Sequence, residues 1–385
     1  MLGQLSSTLA QWSDQIIRGW IAYQLTGSAL LLGSITAARA IPLLFFSLLG
    51  GVLADRFDRR RQIILAQGTN VASDLVLAYL VFSGHIEVWH LFVTAFVAGA
   101  AQSFMMPARQ SLIPNLVPRG DLMNAVSLNA GALSISRALG PTIAGLVLAL
   151  WGGGAAYLVE GLMHLLSGAS VAMLREPPTE RSKSGDRLWT TMTGGLRYAL
   201  NTPVILLLLA VSLIPMLIAQ PYQALLPIFA EEVLAIGPTG LGMLASATGV
   251  GAIVGVILMA TAGDMQRKGL LVLAGMMAFG LCLVVFALSS LLVLSLVALF
   301  VAGLAGAAYH SPVQHLLHTN TPDHLRGRVM SIYLLDRGFT PLGALLLGAL
   351  GDIFSAPVAV AFGGAVCALL GVLVAVRKPD FSRLA

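Results

Sequence analysis

Gly50-Gly51-Val52-Leu53-Ala54-Asp55-Arg56-Phe57-Asp58-Arg59-Arg60-Arg61 packs six charges into twelve residues between two long, nearly uncharged runs. A loop this short cannot fold alone. The runs on either side are long enough to cross a bilayer, which takes about 20 residues. The stretch reads as a tight basic hairpin between two membrane helices, and it gives a point from which the other spans can be oriented.

Composition agrees with that reading. The chain has 385 residues, 57% of them hydrophobic and 10% charged, with a mean hydropathy of +0.87. Soluble domains carry about 25% charged residues, so this is an integral membrane protein with room for roughly a dozen spans. The net charge of +5 and the pI of about 9.5 would suggest nucleic acid in a soluble protein. Here the basic residues gather in loops on one side of a membrane, and no nucleic-acid partner is expected. Cys282 and Cys367 lie far apart in apolar runs and read as small buried hydrophobes. Residues Met1 to Tyr23 do not read as a signal peptide, because Asp14 and Arg18 fall where an apolar core should be. Gln4, Ser7, Gln11, Asp14 and Arg18 recur at helical spacing, which predicts a helix with one polar stripe facing a cavity.

Hydropathy places spans near residues 2–23, 30–53, 62–83, 88–107, 126–150, 154–174, 203–230, 239–262, 269–289, 291–312, 328–350 and 356–376. Four basic residues (Arg18, Arg39, Arg137 and Arg337) fall inside spans. The other eighteen of the 22 sit in alternate loops and the C-terminal tail. The intervening loops, such as Gly84-His85-Ile86-Glu87 and Glu231-Glu232, hold no lysine or arginine. By the positive-inside rule this predicts twelve helices in the cell (inner) membrane with both termini cytoplasmic.

The longest polar segment begins Arg175-Glu176-Pro177-Pro178 and falls at the middle of the chain. It divides an N-terminal six-helix bundle, 1–174, from a C-terminal one, 203–385. The linker, 175–202, includes an interfacial helix near Trp189 to Leu200. A midpoint linker prompts a search for duplication. Phe96-Val97-Ala98-Gly99 recurs as Phe300-Val301-Ala302-Gly303, and at the same offset Gln110 meets Gln314 and Pro118 meets Pro322. The opening hairpin has a worn copy in Gly263-Asp264 leading to Arg267-Lys268. An all-α fold of two pseudo-symmetric bundles is the architecture transporters build around a midplane site.

These residues resemble the major facilitator superfamily. Its loop signature G-x-L-x-D-R-x-G-R-[RK] is matched by Gly51, Leu53, Asp55, Arg56, Arg59 and Arg60, with Asp58 in place of the second glycine. Aspartate tolerates left-handed geometry better than most residues, so the turn is expected to survive. Asp14, Leu25-Thr26-Gly27-Ser28-Ala29, Pro107-Ala108-Arg109-Gln110, Gly140-Pro141, Gly194-Gly195-Leu196-Arg197-Tyr198 and Arg326-Gly327-Arg328 are similar to the enterobactin-exporter and macrolide-efflux branch. The resemblance implies a proton-coupled secondary exporter, and it implies a conformational latch from Gly51, Asp55, Arg56 and Arg59, with Asp264 as the counterpart of Asp55. Gly140, Pro141 and Gly145 are similar to the core of the helix-five motif of antiporters, which suits a bend or a tight seal; an ordinary packing kink is the equal alternative.

A charge at the bilayer centre costs about 2.5–3.5 kcal/mol on insertion scales, so the intramembrane charges single themselves out. Asp14 is the first candidate for proton coupling, with Arg18 and Arg39 as partners. Glu160 with Arg137 is the second, Asp74 the third, and Asp336 beside Arg337 the fourth. Static ion pairs are the alternative reading. Gln102, Met105, Met106, Gln220, Tyr222, Gln223, Tyr309 and His310 are candidates for an adaptable substrate cavity, against plain core packing. Pro215, Pro221 and Pro227 predict an irregular helix seven. His315 and His318 are three apart, but no carboxylate or cysteine pattern completes a zinc site, so neither metal nor cofactor is expected. No phosphate-binding Gly-x-x-x-x-Gly-Lys-[Ser/Thr] loop is present, so energy must come from a gradient.

The sequence thus predicts a monomeric, proton-coupled antiporter that exports amphipathic, drug-like or siderophore-like small molecules. A proton-coupled uptake symporter is the alternative, and a membrane-embedded enzyme or lipid-handling protein is a remote one.

Overall fold

The computed structural model describes residues 2–56, 58–174, 198–261 and 267–384. Among them the chain is helical, with no strand. α1 spans Leu2–Thr26, α2 Ala29–Arg56, α3 Arg59–Phe82 and α4 Val88–Leu116. The 51-residue segment Leu122–Ala172 is two helices joined at Gly152, whose φ of 77° lies in the left-handed region. We call its parts, 122–151 and 153–172, α5 and α6. α7 is Pro203–Ile218 and continues as Tyr222–Ile228 and the π-turn Phe229–Val233. α8 is Gly237–Thr261, α9 Lys268–Leu288 and α10 Leu292–Thr319. α11 comprises Asp323–Leu335 and Thr340–Ile353 around the 3₁₀ turn Asp336–Phe339, and α12 is Ala356–Arg377.

Eight of these segments are long and apolar enough to cross a membrane, the bent Leu122–Ala172 among them. α1 falls short of that measure because of its polar stripe. Span eleven, expected to run unbroken over 328–350, begins at Asp323 and is interrupted by the 3₁₀ turn. Span seven, expected over 203–230, breaks after Ile218. Pro221 has no N–H to offer the ladder there, and the backbone carbonyls of Leu217 and Ile218 are met at close range by Gly343 and Gly363. No side chain larger than hydrogen fits at those two contacts.

Helix ends follow local chemistry. Gly27, at φ 60°, donates its N–H to Tyr23 O at 2.8 Å and closes α1. Asp58, expected to replace a glycine in a left-handed turn, is instead extended, with φ −61° and ψ 113°, and caps α3 by accepting from Arg61 N. An N-cap takes extended backbone so that its carboxylate can reach the third amide, so no left-handed geometry is needed at this position. Arg60, a residue of the loop signature, donates to Val171 O at 3.2 Å and to Ala172 O, so it caps the end of α6.

The chain divides into two compact units. One comprises Met1–Ser184 with Ala235–Ser246, and the other Gly185–Leu234 with Ala247–Ala385. In the first unit α1 lies against α5, α2 against α4, and α3 against both α4 and α6. In the second, α9 packs on α10 and α12. The repeated Phe-Val-Ala-Gly motif has equivalent work in each. Gly99 on α4 meets the Arg39 carbonyl of α2, and Gly303 on α10 meets the Thr248 carbonyl of α8. In both places the absent side chain lets two helices touch backbone to backbone, the packing that lipid solvent favours.

Candidate functional site

The site forms in the first unit because α1, α2, α3 and α6 each turn an ionisable side chain inward. Asp14 and Arg18 stand one turn apart on the polar stripe of α1. Arg18 donates from Nε and Nη2 to Asp14 Oδ1 at 2.9 and 2.6 Å. The other carboxylate oxygen, Oδ2, accepts from Arg39 Nη1 of α2. Arg18 is held in turn by Thr94 Oγ1 at 2.7 Å and the Leu91 carbonyl at 3.2 Å, both on α4. Asp14 is 3% exposed and Arg18 5%. Paired and hydrogen-bonded on every side, the two charges meet the condition under which buried ions are tolerated.

A second group lies beside them. Asp74 Oδ2 on α3 is 2.7 Å from His164 Nδ1 on α6, and the functional atoms of Asp74, Glu160 and His164 all lie within 4.8 Å of one another. That spacing admits a bridging proton, a water or a small cation. Glu160 is 2% exposed, and its Oε2 has no hydrogen-bond partner among the described residues. Arg137, the cation expected to serve Glu160, instead lies with its guanidinium 5.4 Å from the Trp12 ring centroid. The reason is geometric: residue 137 precedes the turn at Gly152 and residue 160 follows it, so the chain reverses between them.

Asp14, Arg18, Arg39, Asp74, Glu160 and His164 line one small cavity together with Asn70, Gln102 and Met105. About 20 Å³ of it is open to the centres of water molecules, room for about one or two. Of the residues expected to touch substrate, Gln102 and Met105 thus border the charged cluster, while Met106 is 46% exposed. The others belong to the second unit. Tyr222 and Tyr309 are fully buried there, with Tyr222 Oη 2.9 Å from Thr248 Oγ1 and the Tyr309 ring 4.1 Å from that of His310. Gln220 and Gln223 follow the break in α7 and are half-buried.

The helix-five motif is a contact surface. A Cβ on Gly140 would come within 2.8 Å of Trp12 Cβ, and Ser13 Oγ donates to the Gly140 carbonyl at 3.1 Å. A Cβ on Gly145 would lie 2.5 Å from the Pro238 carbonyl, and one on Gly242 would lie 2.5 Å from that of Pro141. α5 therefore touches α1 on one face and the start of α8, part of the same unit, on another. In the hairpin, Gly51, Asp55 and Arg56 form the helical end of α2, with their side chains outside the description, and Arg59 donates to the Ser111 carbonyl at 3.2 Å. Asp264 and most of the linker, 175–197, lie outside the described residues, as do the side chains of Asp336 and Arg337.

A family model described as a transmembrane secretion effector matches residues 2–382. The chain is a major facilitator superfamily transporter. The family is one of transporters, not of enzymes, and it implies a small-molecule substrate. This transporter is 22% identical to the staphyloferrin A transporter of Staphylococcus aureus, over 90% of the chain and 87% of that relative. It is 26% identical to macrolide efflux protein A of Streptococcus pyogenes, covering 80% and 77%, and 26% identical to the enterobactin exporter EntS of Escherichia coli, covering 85% and 78%. It thus falls in the siderophore-export and macrolide-efflux branch. Among solved structures, the nucleoside transporter NupG matches with a TM-score of 0.75 at 13% identity, over 99% of this chain and 100% of that one. That likeness supports the major facilitator fold.

His164 was missed by sequence reasoning. It is a single histidine in an apolar run, and its one available signal is its place four residues after Glu160, one helical turn away on the same face.

Proposed function

We propose that this transporter is a proton-coupled antiporter that exports amphipathic small molecules, drug-like or siderophore-like, by alternating access. The observation that carries the proposal is the buried cluster in which Asp14 is clamped by Arg18 and Arg39 beside Asp74, His164 and Glu160. Ionisable groups inside a membrane are expensive and mark ion and proton pathways. The efflux proteins among the relatives support the direction. With no phosphate-binding loop in the sequence, a proton gradient supplies the work, about 2.3 kcal/mol per charge per 100 mV.

In this reading both termini are cytoplasmic, and the two bundles, 1–174 and 203–385, rock about the linker 175–202. Gly51, Asp55, Arg56 and Arg59 act as the latch, with Asp264 as their counterpart. Gly140, Pro141 and Gly145 keep α5 slim enough to seal, and the break in α7 gives a gate its bend. Cargo meets Gln102 and Met105 next to the proton site.

Inverted membrane vesicles loaded with an acid interior test this, with erythromycin as the probe. The proposal predicts accumulation that stops when the pH gradient is collapsed. Accumulation only in right-side-out vesicles, driven by protons moving the same way, would instead make it an uptake symporter.

A further inference from the structure

We propose that the proton exchanged during transport is seated on Glu160 and the His164–Asp74 pair, while Asp14 serves as the fixed counter-ion of Arg18 and Arg39. This rests on the proton-coupled reading above and names the groups that perform it.

Both oxygens of Asp14 are engaged by guanidiniums. Oδ1 accepts twice from Arg18 and Oδ2 accepts from Arg39, while Arg18 is anchored further by Thr94 and Leu91. A proton on Asp14 would displace charge-assisted bonds and leave two guanidiniums facing each other without an anion, one of them fully enclosed. Glu160 is in the opposite position. It is buried, its Oε2 lacks a partner, and Asn70 Oδ1, 8% exposed and lining the same cavity, also lacks one among the described residues. Two acceptors without a donor, around a space with room for a water, mark where a mobile hydrogen is wanted.

Charge balance points the same way. α1 contributes Asp14 and Arg18 to the cluster, α2 Arg39, α3 Asp74, and α6 Glu160, His164 and the buried phenol of Tyr157. α4 brings only neutral Ala98, Gln102 and Met105 to the cavity, its Arg109 reaching Ser167 at 3.5 Å, and α5 holds Arg137 over Trp12. Three carboxylates therefore face two guanidiniums, and one proton brings the cavity to neutrality. Two seats can take it without breaking an ion pair. One is the Glu160 carboxyl. The other is the His164 imidazole, whose charge would be met by Asp74 Oδ2 at 2.7 Å. Transfer converts a neutral acid and a neutral imidazole into a carboxylate and an imidazolium, leaving the total charge unchanged. Release to a cavity water then leaves the cluster one unit negative, the form that must bind again before the next turnover.

The test uses the full chain in lipid nanodiscs and infrared difference spectroscopy between acid and alkaline pH, which detects a protonated carboxyl without any substrate. Wild type should lose a carboxyl band on alkalinisation and Glu160→Gln should lack that change, while Asp14→Asn, with one carboxylate fewer against the same two guanidiniums, should keep the Glu160 band but lose it at lower pH. His164→Gln should shift its midpoint, which keeps the proposal open to test if Glu160→Gln fails to fold. Absence of the band in wild type, its absence in Asp14→Asn but not in Glu160→Gln, or an unmoved midpoint in His164→Gln would overturn the assignment. Thermal stabilisation of wild type by Mn²⁺ alone, abolished by Glu160→Gln, would also overturn it by making the cluster a cation site. In liposomes, the erythromycin accumulation that a proton can sustain, about 50-fold per 100 mV, should collapse towards unity in Glu160→Gln. If wild type moves no erythromycin, the transport reading fails while the infrared result still decides where the proton sits.

Discussion

In the first unit the buried interior includes Asp14, Arg18, Asp74, Glu160 and His164. In the second, the buried polar groups among the described residues are Ser212, Thr248, Ser289, Ser295 and Thr321. The second interior is filled by rings instead, with Phe229 and Phe286 centred 4.5 Å apart and Tyr222 edge-on to Phe286 at 6.4 Å. The same small-residue contact nevertheless recurs in both, at Gly99 and at Gly303. Among the described residues, the repeat has kept the packing and not the buried charge. Packing is needed wherever helices must associate in lipid without a hydrophobic driving force, so both halves retain it. Ionisable groups cost free energy in either half and are kept where they serve a purpose. Among the described residues, the contrast gathers the buried ionisable groups in the first unit and leaves the interior of the second apolar and aromatic.

Substitutions at four sites, with Gly99 as the counterpart of one of them, would break or sharpen that contrast. Arg18→Leu should have the largest effect, because it strands Asp14 with one partner. Removing one member of a buried pair costs about 3–5 kcal/mol, and folded yield in detergent should fall sharply. A yield like wild type would mean that the pair is not desolvated. Gly303→Leu tests the shared packing; overpacking costs about 1–3 kcal/mol or more, and here the obstacle is a backbone carbonyl that cannot rotate away. The melting temperature should fall, with Gly99→Leu falling comparably if the two contacts are true equivalents. Asp58→Ala removes the cap of α3 at a cost of about 1 kcal/mol, read as a smaller loss of thermal stability that Asp58→Ser restores. Tyr222→Phe deletes the hydrogen bond to Thr248 in the aromatic interior, worth about 0.5–1.5 kcal/mol. A loss as large as that of Arg18→Leu would show that the second unit also depends on a polar core.

The fold was legible because bilayer thickness and backbone satisfaction leave few options for a chain this apolar. Twelve hydrophobic runs, basic residues in every second loop and a repeated Phe-Val-Ala-Gly motif suffice to describe it. Half of the site was legible too. Asp14 and Arg18 are one turn apart on a polar stripe, a relation that helical spacing encodes directly. The other half depends on tertiary placement. Nothing near residue 74 indicates that α3 will meet α6, and a lone His164 in an apolar run looks like core. Glu160 was assigned a cation on its own hairpin, and the turn at Gly152 carries Arg137 to Trp12 instead. The break in helix seven was signalled by its prolines, but its site was not, because Gly343 and Gly363 approach it from distant parts of the chain.

The most direct measurement is substrate-driven proton movement in liposomes that contain the purified transporter and an entrapped pH dye. With no other ion gradient, an outward gradient of erythromycin should draw protons inwards and acidify the lumen in wild type, and it should leave the lumen unchanged in Glu160→Gln. Erythromycin efflux from wild type with no pH change, or equal acidification in Glu160→Gln, would contradict the account.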